Sequence, residues 1–312
     1  MTENTLGTVG QTALPSGKKK ANKLERKQAV YGWLFLLPTL LLFCIFSLVP
    51  TILGVVYSFT DMAPGYPWEF VWTIDNYAYI FEDKVFLHSI LNVLIYALMC
   101  VPMTVVSSLL VAVLLNRKVR GIKFFRVIYY LPAVTSGVAT AFVWRWIFNE
   151  SYGLFNTVLT QWFGLKEGLK WTGSQSYFAM FCIALVSTWT SLGGNMLVYL
   201  AGLQSISPEL YEAADLDGAN GWHKLIHIII PMISPTTYFI TTMSIIGSFQ
   251  LFDIVAMMGA DGNYYTQTPV TQIEGAFRHG MGGMASAMSM VLFAVIMVTT
   301  FITQFLVKER NT

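Results

Sequence analysis

Six stretches of the chain contain no Asp, Glu, Lys or Arg and are long enough to cross a lipid bilayer. They cover residues 29–60, 85–116, 127–144, 171–208, 225–252 and 279–307. A spanning helix needs about 20 apolar residues, because the hydrocarbon core of a bilayer is about 30 Å thick. The third stretch reaches this length over 124–148 if Arg126 and Arg145 extend their charges to its ends.

Hydrophobic and polar residues do not alternate strictly in these stretches, which favours helices over strands. Segments that span lipid are either helices or the strands of closed barrels. The pattern therefore predicts an all-α integral membrane protein with six transmembrane helices. Their predicted bounds are about 32–59, 88–115, 124–148, 177–201, 232–257 and 284–306.

The first 28 residues are polar and basic, and we expect them to form a disordered cytoplasmic tail in front of a membrane domain that covers 29–312. A cleavable signal peptide has an apolar region of roughly 7–15 residues. The first apolar run is longer than that, and no small-residue cleavage site is obvious. We therefore expect this run to remain as a membrane span.

The amino-acid composition also indicates that most of this chain is surrounded by lipid. Hydrophobic residues make up 55% of it and charged residues 12%, against about 25% charged residues in soluble domains. The net charge of +2 is too small to indicate a nucleic-acid partner. Three cysteines, Cys44, Cys100 and Cys182, lie in apolar stretches without a CxxC pair and are interpreted as small buried residues.

The distribution of Lys and Arg predicts the orientation in the membrane. With the N-terminus inside, the cytoplasmic segments carry fourteen of these residues and the outer loops carry four. Cytoplasmic loops are enriched in Lys and Arg. Both termini are therefore predicted to be cytoplasmic.

The predicted loop between the fourth and fifth spans, residues 204–231, is longer than a simple connection requires. Ser207 can cap a helix that places Glu212 near its positive end. Gly218 can take the left-handed conformation that ends a helix, and Asn220 can begin a second short one. A helix–turn–helix at the cytosolic face is either a docking element for a partner or an ordinary amphipathic interfacial helix.

This loop resembles the EAA loop of the permease subunits of binding-protein-dependent ABC importers. The matching residues are Glu212, Ala213, Ala214, Asp217, Gly218, Ala219, Ile228 and Pro231. Further matches to the carbohydrate-uptake type, which serves maltose, glycerol phosphate and multiple sugars, follow in order along the chain: 33–38, 58–61, 75–77, Asn92, 124–126, 131–132, 144–149, 153–154, 276–278 and 285–287. The resemblance extends over nearly all of the chain after the tail.

The resemblance implies a type I ABC importer permease fold and a bacterial cytoplasmic-membrane location. It also implies three kinds of partner: a second homologous permease that completes a heterodimer, two ATPase subunits, and an extracellular or periplasmic sugar-binding protein. Glu212, Ala213, Ala214, Asp217, Gly218 and Ala219 would then couple the chain to an ATPase. The sequence contains no G-x-x-x-x-G-K-[ST], so we expect ATP and Mg²⁺ to be bound by the partner subunits, with no cofactor in this chain.

Polar residues in the fourth and fifth predicted spans are candidates for the substrate path. They are Ser187, Thr190, Ser191, Gly194 and Asn195, and then Gly247, Ser248 and Gln250. Gly193 and Gly194 are expected to interrupt the fourth span, as glycines do at many transporter sites. The alternative is that these small polar residues only pack helices together.

Two other functions fit the sequence less well than an importer subunit does. A secondary carrier usually needs acidic residues inside the membrane, and none lies in the six charge-free stretches; a channel belongs to the same alternative. A membrane enzyme would need paired carboxylates, a nucleophile elbow or a metal cluster, and His223 and His227 lack the further ligands that a metal site requires. We therefore expect no enzymatic or metal site. The sequence leaves open which sugar is carried, or whether the solute is glycerol phosphate.

Overall fold

The computed structural model describes residues 23–66, 70–117, 120–165, 167–173, 175–258, 260 and 262–308. Within these residues the chain is helical, and the single β-type pairing is one bridge between Thr60 and Trp72. In chain order the helices are α1 Lys23–Phe43, α2 Val49–Ser58, α3 Asp75–Glu82, α4 Lys84–Leu115, α5 Ile122–Val134, α6 Gly137–Ile147, α7 Leu154–Gln161, α8 Tyr177–Gln204, α9 Pro208–Leu216, α10 Gly221–Lys224, α11 Ile230–Met232, α12 Ser234–Phe249, α13 Asp253–Met257, α14 Pro269–Arg278 and α15 Gly282–Lys308.

Two compact units divide the chain, residues 1–53 and 54–312. The described part of the first unit is α1, a stretch of π-helix at Cys44–Leu48 and the beginning of α2. The predicted tail over 1–28 is helical from Lys23, and its residues 1–22 lie outside the described part of the chain. In the second unit, α4 and α8 pack along each other, α5 and α12 lie against this pair, and α15 packs against α12, α14 and α3.

Four helical segments are long and apolar enough to cross a membrane: Val30–Ser58, Lys84–Leu115, Tyr177–Gln204 and Gly282–Thr303. Two further segments qualify only as bent pairs of helices. Ile122–Val134 and Gly137–Ile147 meet at 96°, and Gly221–Met232 and Ser234–Phe249 meet at 69°. The described residues therefore hold four spans, or six if each bent pair crosses as one.

The first bend follows from proline chemistry at the end of α5. Pro132 lacks a backbone N–H and its ring crowds the preceding turn, which weakens a helix. Thr135 then takes an extended conformation, with ψ 148°. Its hydroxyl donates to the Pro132 carbonyl at 2.7 Å, which satisfies an acceptor that the broken helix leaves free. Pro231 and Pro235 lie on either side of the second bend, which is at Ile233.

The fifth predicted span, 232–257, is not one continuous helix. The helix α12 ends at Phe249, and Phe252 has φ −138° before the short helix α13 begins at Asp253. Hydrophobicity continues through this break, so the apolar pattern alone does not reveal it.

The predicted interruption of the fourth span at Gly193 and Gly194 is wrong, because α8 is continuous through both residues. Gly193 instead gives α5 room to approach. A Cβ on Gly193 would lie 2.5 Å from the Tyr129 carbonyl oxygen and 2.7 Å from Tyr130 Cα. Small residues allow close backbone contact between membrane helices, and this contact fixes α5 against α8.

Candidate functional site

A cavity of about 240 Å³ lies between α4, α8 and α12, and we call it the polar pocket. It is lined by Tyr96, Cys100, Thr104, Ser187, Ser191, Asn195, Met243, Ser244, Gly247 and Ser248. Residues four apart on a helix share one face, which is why Ser187, Ser191 and Asn195 of α8 line one wall together. The structure thus brings together five residues of the predicted substrate path.

The other three predicted path residues do not line this pocket. The Thr190 hydroxyl donates to the Ser187 carbonyl at 2.9 Å. Gln250 is exposed at the end of α12. A Cβ placed on Gly194 would meet no atom of the described residues within 4 Å.

Sequence reasoning missed the wall that α4 contributes. Tyr96, Cys100 and Thr104 are spaced by four residues and face the pocket together. Cys100 is buried as expected, but it lines a polar cavity. Repetition of polar or polarizable residues at helical spacing in the second span was the available signal.

Hydrogen bonds hold the walls of the polar pocket in place. Thr104 Oγ1 donates to Thr188 Oγ1 at 3.4 Å, and the Cys100 sulfur lies 3.8 Å from each of these hydroxyls. The Ser248 hydroxyl donates to the Ser244 carbonyl at 2.8 Å. Among the described residues no group hydrogen-bonds to the Asn195 side chain, so this amide is available to a solute.

The 204–231 loop forms the predicted helix–turn–helix. The helix α9 has Pro208 in its first turn, and Gly218 follows with φ +75°. The Asn220 side chain accepts from the His223 N–H at 2.9 Å and caps α10. The predicted cap at Ser207 is wrong in one respect, because its side chain makes no capping hydrogen bond; with Pro208 next in sequence, one N–H of the first turn is absent.

The inner side of this loop is anchored to the helix bundle. Tyr211 of α9 packs against a core cluster that includes Leu203, Ile229 and Ile233. Burial raises the pKa of the Tyr211 phenol above its ordinary value, since the charged form loses hydration. This packing fixes the inner side of the loop to the helices that it joins.

The outer side of the loop is exposed. Glu212, Ala213, Asp217 and Gly218 are exposed, and Ala214 and Ala219 are partly so. The side chain of Leu216 is 91% exposed. Next to them lies a groove of about 480 Å³, lined by Ala214, Asp217, Gly218, Ala219, His223, Lys224, His227 and Ile228. All six predicted coupling residues thus lie on one accessible loop.

A further contact ties the two helices of the loop together. Lys224 Nζ forms an ion pair with Asp215 Oδ1, which joins α10 to α9 across the Gly218 turn. The Lys224 side chain is 19% exposed and that of Asp215 65% exposed.

Comparison with known proteins places these features in a family. Residues 78–311 match the family described as binding-protein-dependent transport system inner membrane component. The arabinooligosaccharides transport system permease protein AraP of Halalkalibacterium halodurans is 34% identical over 89% of this chain and 87% of its own. The sn-glycerol-3-phosphate transport system permease protein UgpA of Yersinia pestis is 30% identical over 89% of this chain and 94% of its own.

A solved structure shares the fold. It is a bacterial alginate ABC transporter in complex with an alginate pentasaccharide-bound periplasmic protein, and the matching chain has a TM-score of 0.77. Identity is 24%, with 93% of this chain and 97% of that chain covered. The fold is therefore that of type I ABC importer permeases. With its family match over residues 78–311, this chain belongs to the inner-membrane components of binding-protein-dependent transport systems.

Proposed function

We propose that this chain is one of two membrane-spanning permease subunits of an ATP-driven sugar importer in the bacterial cytoplasmic membrane. A second, homologous permease completes the translocation path as a heterodimer. Two ATPase subunits bind ATP and Mg²⁺ on the inner side, where both termini of this chain lie. A sugar-binding protein delivers the solute from outside.

The proposal rests on two features that this chain combines: the polar pocket and the exposed 204–231 loop. The pocket offers hydroxyl groups and an amide in an otherwise apolar bundle, which suits a solute rich in hydroxyls. The relative named for arabinooligosaccharides supports a saccharide. A secondary carrier or channel would not need an exposed docking loop.

The proposed mechanism is alternating access driven by the ATPases. Closure of the ATPases moves the 204–231 loop as a unit, since its inner side is packed against the bundle. To change the population ratio of the inward-open and outward-open states from 1:99 to 99:1, ligands must bind the favoured state more tightly than the other by roughly 5.5 kcal/mol. ATP and the docked binding protein supply this difference.

Co-purification tests the subunit composition. A tagged copy of this chain, expressed with its neighbouring genes and extracted in mild detergent, is expected to retain a second permease and an ATPase. Recovery of the chain alone, with saccharide transport by that isolated chain, would refute the proposal and favour a carrier or channel.

The Asp215–Lys224 ion pair provides a prediction about coupling. Asp215→Lys or Lys224→Asp alone should lower transport per ATP hydrolysed by up to about fivefold, the upper end of the effect of an exposed ion pair. The exchanged pair, Asp215→Lys with Lys224→Asp, should recover most of that loss in proteoliposomes. If the loss in the double variant equals the sum of the losses in the two single variants, the ion pair does not position the loop.

A further inference from the structure

The α4 wall of the polar pocket consists of three buried residues. The side chains of Tyr96, Cys100 and Thr104 are 3%, 7% and 2% exposed, and all three line the pocket. The Ser187 hydroxyl, which lines the same pocket from α8, is buried and has no hydrogen-bond partner among the described residues. This wall therefore places a phenol, a thiol and a hydroxyl opposite the Ser191 and Asn195 side chains of α8.

The charge of the lining restricts the solute. All ten lining residues belong to types without a formal charge at neutral pH, and no Lys, Arg, His, Asp or Glu is among them. Burying an ionised group without a partner of opposite charge costs several kcal/mol. A phosphate or carboxylate bound against these walls would find no cation on them.

The size and chemistry of the pocket suit one sugar ring. Its 240 Å³ is below the roughly 300–1,000 Å³ typical of sites for drug-sized ligands. The hydroxyls and the Asn195 amide can both donate and accept, as ring hydroxyls require. The Tyr96 ring adds a flat apolar surface of the kind that covers the C–H face of a sugar.

We propose that the polar pocket selects an uncharged, polyhydroxylated ring, with Tyr96 and Thr104 as specificity-determining residues. This inference rests on the proposed function and narrows its substrate class. It separates this chain from the relative named for sn-glycerol-3-phosphate and from the transporter of the acidic polysaccharide alginate. This chain resembles those proteins in fold and sequence, but the proposed pocket does not accept the anionic solutes that their names describe.

The test uses the intact importer with its binding protein in proteoliposomes that contain ATP. The probes are neutral di- and trisaccharides of arabinose, xylose, glucose and galactose, with trigalacturonate and sn-glycerol 3-phosphate as anions. We expect ATP-dependent uptake of at least one neutral saccharide and of neither anion. Uptake of either anion would overturn the proposed selectivity, whereas failure of every saccharide, neutral or anionic, would overturn the proposed function instead.

Two variants test the specificity-determining residues with the neutral saccharide that is carried. Tyr96→Phe and Thr104→Val preserve shape and should each raise KM for uptake or lower its rate about tenfold, the scale of one lost hydrogen bond. Tyr199→Phe is the matched control, because Tyr199 is a fully buried tyrosine of α8 that does not line the pocket. Equal effects of Tyr96→Phe and Tyr199→Phe would show that the Tyr96 hydroxyl has no role beyond packing.

Discussion

Replacing Glu212 with Lys is expected to abolish saccharide-stimulated ATP hydrolysis and uptake while the importer stays assembled in the membrane. Glu212 is exposed on α9, at the surface that we propose an ATPase subunit grips. Reversal of its charge removes an attraction and introduces repulsion against a basic partner group. Loss of one partner of a buried charge pair at an interface costs about 2–5 kcal/mol, so uptake should fall by about thirtyfold or more.

The control for this variant is Glu82→Lys, which makes the same charge change at the exposed end of α3. Glu82 lies far along the chain from the 204–231 loop, on the predicted outer side. The Glu82→Lys variant should keep saccharide-stimulated ATPase activity within about twofold of the native rate, since isolated surface charges contribute little to stability or assembly. Normal stimulated activity in Glu212→Lys would contradict the role assigned to α9.

Adding one methyl group at Gly193 should destabilise the protein, because it forces α5 away from α8. The new Cβ would lie 2.5 Å from the Tyr129 carbonyl oxygen, and backbone atoms cannot rotate away as a side chain can. Overpacking costs roughly 1–3 kcal/mol and occasionally more. In detergent, Gly193→Ala should therefore lower Tm by about 5 °C or more.

The adjacent glycine is the matched control for this stability measurement. A Cβ at Gly194 meets no described atom within 4 Å, and Gly→Ala inside a helix gains up to about 1 kcal/mol. Gly194→Ala should therefore leave Tm unchanged or raise it slightly. Equal Tm values for the two variants would show that α5 does not approach α8 as described.

Local patterns in the sequence predicted much of this fold. A long apolar run requires no tertiary information to be recognised as a span, and α4, α8 and α15 confirm three of the predicted helices. The turn at Gly218 was also predictable, because glycine adopts positive φ at little cost. The resemblance over 204–231 then indicated which exposed residues to consider.

Hydropathy does not show bends within an apolar run or contacts between distant segments. The 96° bend between α5 and α6 continues an apolar run, so hydropathy does not separate the two helices. The role of Gly193 depends on Tyr129 and Tyr130, which lie far from it along the chain. The α4 wall became visible only when Tyr96 and Thr104 were found opposite α8, since their four-residue spacing does not by itself show which helix they face.

ATP-dependent accumulation of saccharide in proteoliposomes tests the importer assignment most directly. This chain is reconstituted with its partner permease and binding protein, either with or without the ATPase subunits. We predict accumulation above the external concentration only when the ATPase subunits and ATP are both present. Saccharide movement by this chain without any ATPase, at a rate similar to that of the full assembly, would contradict the account.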